Sequence, residues 1–99
     1  MTVQRVLENE GHVKAEVKKI LTKLGCFFFM PPSNVFGRAG ISDFIGLHRG
    51  RFFAIETKFG KNKPTALQTR FGIEVMAHGG LFFVINETNI SDLWDLEGV

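Results

Sequence analysis

Three ionisable side chains interrupt two otherwise apolar runs in this 99-residue chain. Asp43 opens Phe44-Ile45-Gly46-Leu47, and Glu56 and Lys58 follow Phe52-Phe53-Ala54-Ile55. Arg49-Gly50, between the runs, has the length of a two-residue hairpin turn. With that turn, Leu47 faces Phe52, Ile45 faces Ala54 and Asp43 falls opposite Glu56. Directly opposed side chains lie about 5 Å apart, and like charges there repel. Lys58, two residues beyond Glu56, projects from the same sheet face. Two readings account for this trio. One is an ion pair between Lys58 and either acid, kept as structure. The other is a cation site in which both carboxylates hold a hard metal and Lys58 meets a phosphate oxygen or a water.

The elements that must position the trio are legible in the spacing. Val3, Val6 and Leu7 have helical spacing, enough for a turn or two. Asn9 caps a longer helix to about Leu24, with Val13, Val17, Ile20, Leu21 and Leu24 as its apolar stripe and Gly25 as its stop. Cys26-Phe27-Phe28-Phe29-Met30 reads as a buried strand ended by Pro31-Pro32. Residues 31–42 form a Pro-, Gly- and Ser-rich loop containing Gly37-Arg38-Ala39-Gly40. Asp43-His48 and Arg51-Lys58 are the hairpin strands, and Lys61-Asn62-Lys63-Pro64 is a polar loop. Thr65-x-x-Gln68 is a capping-box signature opening a helix with Leu67, Phe71, Val75 and His78 on one face. Gly79-Gly80 ends it, Leu81-Asn86 is a further apolar strand, and Asn89 caps a last short helix carrying Ile90, Leu93 and Trp94. The predicted order is α-β-β-β-α-β-α in one domain, residues 1–99, with no repeat.

Composition narrows the function. A hydrophobic share of 44% with 11 Phe and no Tyr fits a folded domain with an aromatic core. The longest apolar runs, Cys26–Met30 and Leu81–Ile85, are five residues each, too short to span a bilayer. They predict a soluble, unexported chain, and the lone Cys26 suits a reducing, cytoplasmic compartment. The net charge of +2 hides a strong asymmetry. Residues 31–70 carry seven bases against two acids, whereas residues 71–99 carry five acids and no base. A basic middle points to a polyanion such as nucleic acid or to a solvated face with no partner. Cys26, His12, His48 and His78 lack zinc-like spacing and read as structural.

Gly37-Arg38-Ala39-Gly40-Ile41-Ser42-Asp43, then Glu56-Thr57-Lys58, then Thr65-Ala66-Leu67-Gln68 closely resembles the VRR-NUC family of the PD-(D/E)xK nuclease superfamily. The resemblance covers roughly residues 10–86. It implies a restriction-endonuclease-like α/β fold, a mixed central sheet flanked by helices, and metal-dependent cleavage of DNA. Asp43 and Glu56 match the two metal-binding carboxylates, and the main-chain carbonyl of Thr57 matches a further ligand. Lys58 matches the lysine that orients the attacking water and offsets charge on the phosphorus. Glu16 matches the first-helix acid, which reaches the metal directly or through water. Glu10 competes for that role, but Glu16 better matches the distance to Leu24-Gly25. Gln68 matches a glutamine near the site, and the family's aromatic position four residues later is here Gly72.

Phosphodiester hydrolysis builds negative charge on oxygen, which a divalent cation and a lysine offset. An all-oxygen ligand set suits Mg²⁺ or Mn²⁺. Arg38, beside Gly37 and Gly40, and the loop lysines Lys61 and Lys63 are the candidate DNA-phosphate contacts. The compact length resembles standalone virus-type and bacterial members, which act as homodimers on branched DNA, particularly four-way junctions. That predicts a dimer working in a bacterial or virus-infected cell, with Val3, Leu7, Ile90 and Trp94 as surfaces for it. Two rivals stay open: a monomeric nuclease for flap or linear ends, and a noncatalytic DNA-binding module.

Overall fold

The computed structural model describes residues 6–32 and 38–99. Val3, in the expected first turn, and Gly37 lie outside the described residues, and residues 6–8 are not helical. Helix α1 (Glu10–Leu24) starts where Asn9 accepts a hydrogen bond from the His12 amide at 2.8 Å. It stops at Gly25, whose φ of 74° is the left-handed cap that glycine adopts without penalty. The strands are β1 (Phe27–Phe29), β2 (Phe44–His48), β3 (Arg51–Thr57) and β4 (Leu81–Ile85), and α2 (Ala66–Ala77) links the last two. A 3-10 helix over Ile90–Gly98 closes the chain.

One sheet runs in the order β1-β2-β3-β4, antiparallel except for the parallel β3–β4 pair that the α2 crossover makes possible. The β2–β3 register is the expected one, with Phe44 opposite Ile55 and Leu47 opposite Phe52. Arg49 and Gly50 both have positive φ, 51° and 81°, the conformation that matches a two-residue turn to the twist of its strands. Asp43 and Lys58, expected inside the strands, each lie just outside them.

The two sheet faces differ. On one, Phe44, Phe53, Ile55 and Ile85 bury against Val13, Val17, Ile20 and Leu21 of α1 and Leu93 and Leu96 of the closing helix. On the other, α2 crosses β3 and β4 with Gly72 pressed on Phe82. A Cβ at Gly72 would sit 2.3 Å from that ring, so only glycine lets helix and sheet approach so closely. The sheet thus supplies the ring that fills the space beside Gly72.

Two expectations are corrected. The run Cys26–Met30 is not a buried strand: β1 is a three-residue edge strand with Phe27 and Phe29 exposed, because it pairs only with β2 while α2 packs on β3 and β4. Asn89 does not cap the last helix with its side chain. Instead it accepts from the Asn86 amide and donates to the Val84 carbonyl, both at 2.8 Å, and so fixes the loop after β4. No helix among the described residues is long and apolar enough to cross a membrane.

Candidate active site

The hairpin register carries Asp43 and Glu56 to the open end of the β2–β3 pair, one step beyond the last paired residues, Phe44 and Ile55. Each carboxylate is held differently. Asp43 Oδ2 accepts from the Thr57 amide at 2.9 Å and from the Thr57 hydroxyl at 2.6 Å. The buried Thr57 side chain therefore orients Asp43, a role that no sequence pattern pointed to. Asp43 Oδ1 faces the Lys14 ammonium at 3.8 Å, and Lys14 also lies 3.5 Å from Glu10.

Glu56 is 1% exposed. Its Oε1 accepts from Gln68 Nε2 at 3.0 Å and lies 3.6 Å from the Lys58 ammonium. Its Oε2 is buried with no hydrogen-bond partner among the described residues. Burial, then the Asp43 charge, push the Glu56 carboxyl up to about 7, and Lys58 opposes both. An orphaned oxygen on a buried acid beside a second carboxylate is costly unless a proton or a cation satisfies it. The donor set fits a hard divalent cation in that place, which Asp43, Glu56 and the Thr57 carbonyl would hold. No group of three His, Cys, Asp or Glu side chains among the described residues is arranged to hold a metal. A site with two carboxylates suits Mg²⁺, which keeps several waters.

A protein-family scan returns no matching model for the chain. Over 74 residues it is 36% identical to a Holliday junction resolvase, RecU, of Geobacillus thermodenitrificans, covering 62% of this chain and 37% of that protein. The chain thus spans little more than a third of the curated relative it matches. A solved structure described as a VRR_NUC domain superposes with a TM-score of 0.71 at 26% identity, over 87% of this chain and 94% of that one. Both likenesses are consistent with the VRR-NUC nuclease family.

Against the VRR-NUC pattern, Gln68 has two tasks. Its Oε1 closes the capping box by accepting from the Thr65 amide at 2.8 Å, which leaves Nε2 free to steady Glu56. The first-helix acid is a different matter. Glu16 is half-buried on α1, two residues and so about 200° round from Lys14. The structure records no hydrogen bond or ion pair from Glu16 to Asp43 or Glu56. It brings Glu10 to the Asp43 edge instead, through Lys14. Glu10 and Lys14 are four residues apart and share one border of the apolar stripe.

The basic residues also separate. Arg38 pairs with Glu74 of α2 and lies 5.4 Å over the Phe71 ring, so its charge is partly spent within the domain. Gly40, at φ 79°, lets this loop lie against α2, where a Cβ would come 2.7 Å from the Leu67 backbone. Lys61 and Lys63 are exposed in the loop between Lys58 and α2, and the Gly60 amide of that loop donates at 3.0 Å to Glu87 in the loop after β4. A cavity of about 240 Å³ lies between Phe52 and α2, lined in part by Arg38, Phe71 and His78. None of Asp43, Glu56 and Lys58 lines it.

Proposed function

We propose that this chain is a Mg²⁺- or Mn²⁺-dependent endonuclease that hydrolyses phosphodiester bonds in branched DNA, four-way junctions foremost, as a homodimer in the cytoplasm of a bacterial or virus-infected cell. The observation that carries the reading is the unpartnered buried Oε2 of Glu56, next to Asp43 and with Lys58 on the other carboxylate oxygen. A bound divalent cation supplies Lewis acidity and a water of lowered pKa. The chain's own residues do the rest. Thr57 holds Asp43 in one orientation, and Gln68 holds Glu56. Lys58 keeps a positive charge where the phosphorane oxygens become more negative. The junction resolvase named above supports the choice of branched substrate, and a two-fold pair of sites suits paired cuts on a two-fold substrate.

The test is cleavage of linear, flap, fork and four-way-junction DNA of matched sequence, with Mg²⁺, with Mn²⁺ and with EDTA. The junction should be cut fastest, and only with metal. Preference for flaps or linear ends would leave a nuclease with another substrate. Binding with no cleavage in any arm would leave only a DNA-binding module.

DNA affinity should come mainly from phosphate contacts, because the basic residues concentrate in 31–70 while 71–99 is acidic. Changing Lys61 and Lys63 to Gln should weaken binding to every sequence alike. It should also flatten the salt dependence by roughly one unit of slope per lost contact. A salt titration on a junction and a duplex of the same sequence reads both; an unchanged slope would put the two lysines off the DNA path.

A further inference from the structure

The cavity between Phe52 and α2 has walls and a rim that a packing gap lacks. Phe52 of β3 and Phe71 of α2 give it two rings, and the Arg38 guanidinium lies 5.4 Å over the second. Empty gaps inside proteins are apolar throughout, whereas Arg38, Glu74 and His78 also line this one. Arg38 binds Oε2 of Glu74 and holds that carboxyl below the usual carboxylate range, so Glu74 stays an ionised acceptor at neutral pH. The His78 Nδ1 meets the Glu74 carbonyl at 2.9 Å, and a carbonyl only accepts, so Nδ1 donates. The neutral ring then offers Nε2 as a second acceptor, and the guanidinium keeps N–H groups beyond the one that Glu74 takes. The Arg38 and Glu74 side chains are 48% and 47% exposed, so the rim is open to solvent.

These features select a ligand. Glu74 offsets the charge of Arg38, so the cavity offers no excess cation to a bare phosphate. Two rings and a guanidinium plane are the surfaces on which flat aromatic groups stack. Donors and acceptors together at the rim suit the mixed hydrogen-bonding edge of a nucleobase. The volume, about 240 Å³, falls below the roughly 300–1,000 Å³ of pockets for larger ligands and leaves room for one such heterocycle. The position fits as well. Phe52 and Glu56 project from the same face of β3, four residues and about 13 Å apart. Arg38 stands in the loop that ends at Asp43. A strand with a phosphate at the acids thus has a base at the cavity about four stacked steps away, and fewer where the strand is unstacked.

We propose that this cavity holds one unpaired base of the DNA strand being cut, stacked on Phe71 and Phe52 with its edge on Arg38, Glu74 and His78. A base inside a duplex is paired and stacked and cannot enter. One at a fork, or at a branch where a pair has lost a stacking neighbour, leaves its place at low cost. The inference rests on the nuclease reading for its substrate and adds a feature that the substrate must carry, a base free to leave its partner beside the branch. It also gives Arg38 a base to hold, where the sequence pointed to a phosphate.

Fluorescence anisotropy in EDTA, where no strand is cut, tests it on the full chain with a fork and a paired duplex of matched sequence. The wild type should prefer the fork. Phe71→Leu, which keeps an apolar side chain and removes the ring, should reduce that preference about 5- to 100-fold, the range for losing one base stack. Phe71→Trp should keep it. A fork whose single-stranded arms are abasic retains every phosphate, and the wild type should bind it about as weakly as Phe71→Leu binds the native fork. Single abasic sites moved along the arms should place the loss at one position. An unchanged preference in folded Phe71→Leu overturns the proposal. So does equal wild-type affinity for native and abasic forks, an arm that stands even where Phe71→Leu fails to fold. A loss spread evenly along the arms, or competition by free dAMP or dCMP at micromolar concentration, overturns it too, the latter by making the cavity a mononucleotide site. Cleavage with Mn²⁺ is read separately. A base-dependent fork preference without cleavage supports the pocket and removes the nuclease reading; cleavage that ignores the abasic arms does the reverse.

Discussion

Lys58→Ala should lower DNA cleavage by about 100- to 1,000-fold while the protein stays folded, the scale of losing one preorganised charge at a reacting centre. The Lys58 ammonium is mostly buried and lies 3.6 Å from Glu56 Oε1, so no water of comparable charge replaces it. Removing it should have a second effect. Lys58 is the group that lowers the Glu56 pKa against burial and the Asp43 charge. Without it the carboxyl rises further, and the acid limb of any remaining activity should move to higher pH. Asp43→Asn should remove activity to a similar degree. Its amide oxygen can still accept from the Thr57 amide and hydroxyl, so the loss would reflect charge and not collapse. Single-turnover rates for both variants, with circular dichroism as the folding control, check this. A wild-type rate in either folded variant would remove that residue from the mechanism.

Without metal, stability should fall as pH rises through the neutral range. The Glu56 carboxyl is raised from an ordinary 4.5 to about 7 by burial first and the Asp43 charge second. Between those values the native state keeps a proton that the unfolded chain releases, so stability decreases with pH. The contribution is fully present below about pH 4.5 and lost above about pH 7, with up to about 3 kcal/mol at stake. Glu56→Gln should flatten this slope, since a neutral amide still accepts from Gln68 and has nothing to ionise. Millimolar Mn²⁺ at pH 8 should restore the wild type and help neither Glu56→Gln nor Asp43→Asn, because a ligand stabilises only the state that binds it. Urea denaturation in EDTA from pH 5 to 8, repeated with Mn²⁺, provides the measurement. Parallel pH curves for wild type and Glu56→Gln would mean that Glu56 is already ionised in the metal-free fold. Equal Mn²⁺ stabilisation of all three proteins would sink the shared-cation site.

Much of this site was legible in the residues because it depends on local rules. The two-residue turn sets the hairpin register, and register alone carries Asp43 to the level of Glu56 and puts Lys58 on the same face as Glu56. The capping box placed Gln68 at the first turn of α2, and the structure bears it out. Its second hydrogen bond, to Glu56, depends on where α2 crosses the sheet, and no local pattern encodes a crossing. The same limit explains Glu16. Its place beside the apolar stripe was readable, but which border of the stripe faces the acids depends on the roll of α1 over the sheet. Glu10 and Lys14 occupy that border.

By itself, the sequence determined the elements and their order, the hairpin with its acids, and the caps of α1 and α2. Each of these follows from backbone preferences and side-chain periodicities acting over a few residues. Tertiary structure alone decided three other things. It made β1 an exposed edge, because a run of apolar residues looks the same whether or not a helix covers it. It buried Glu56 with one oxygen unpartnered, because desolvation is a property of everything packed around a group. It also gave Thr57 the task of holding Asp43 and spent Arg38 on Glu74. Those pairings span 14 and 36 residues, and only the packed sheet and helices bring their partners within hydrogen-bonding reach.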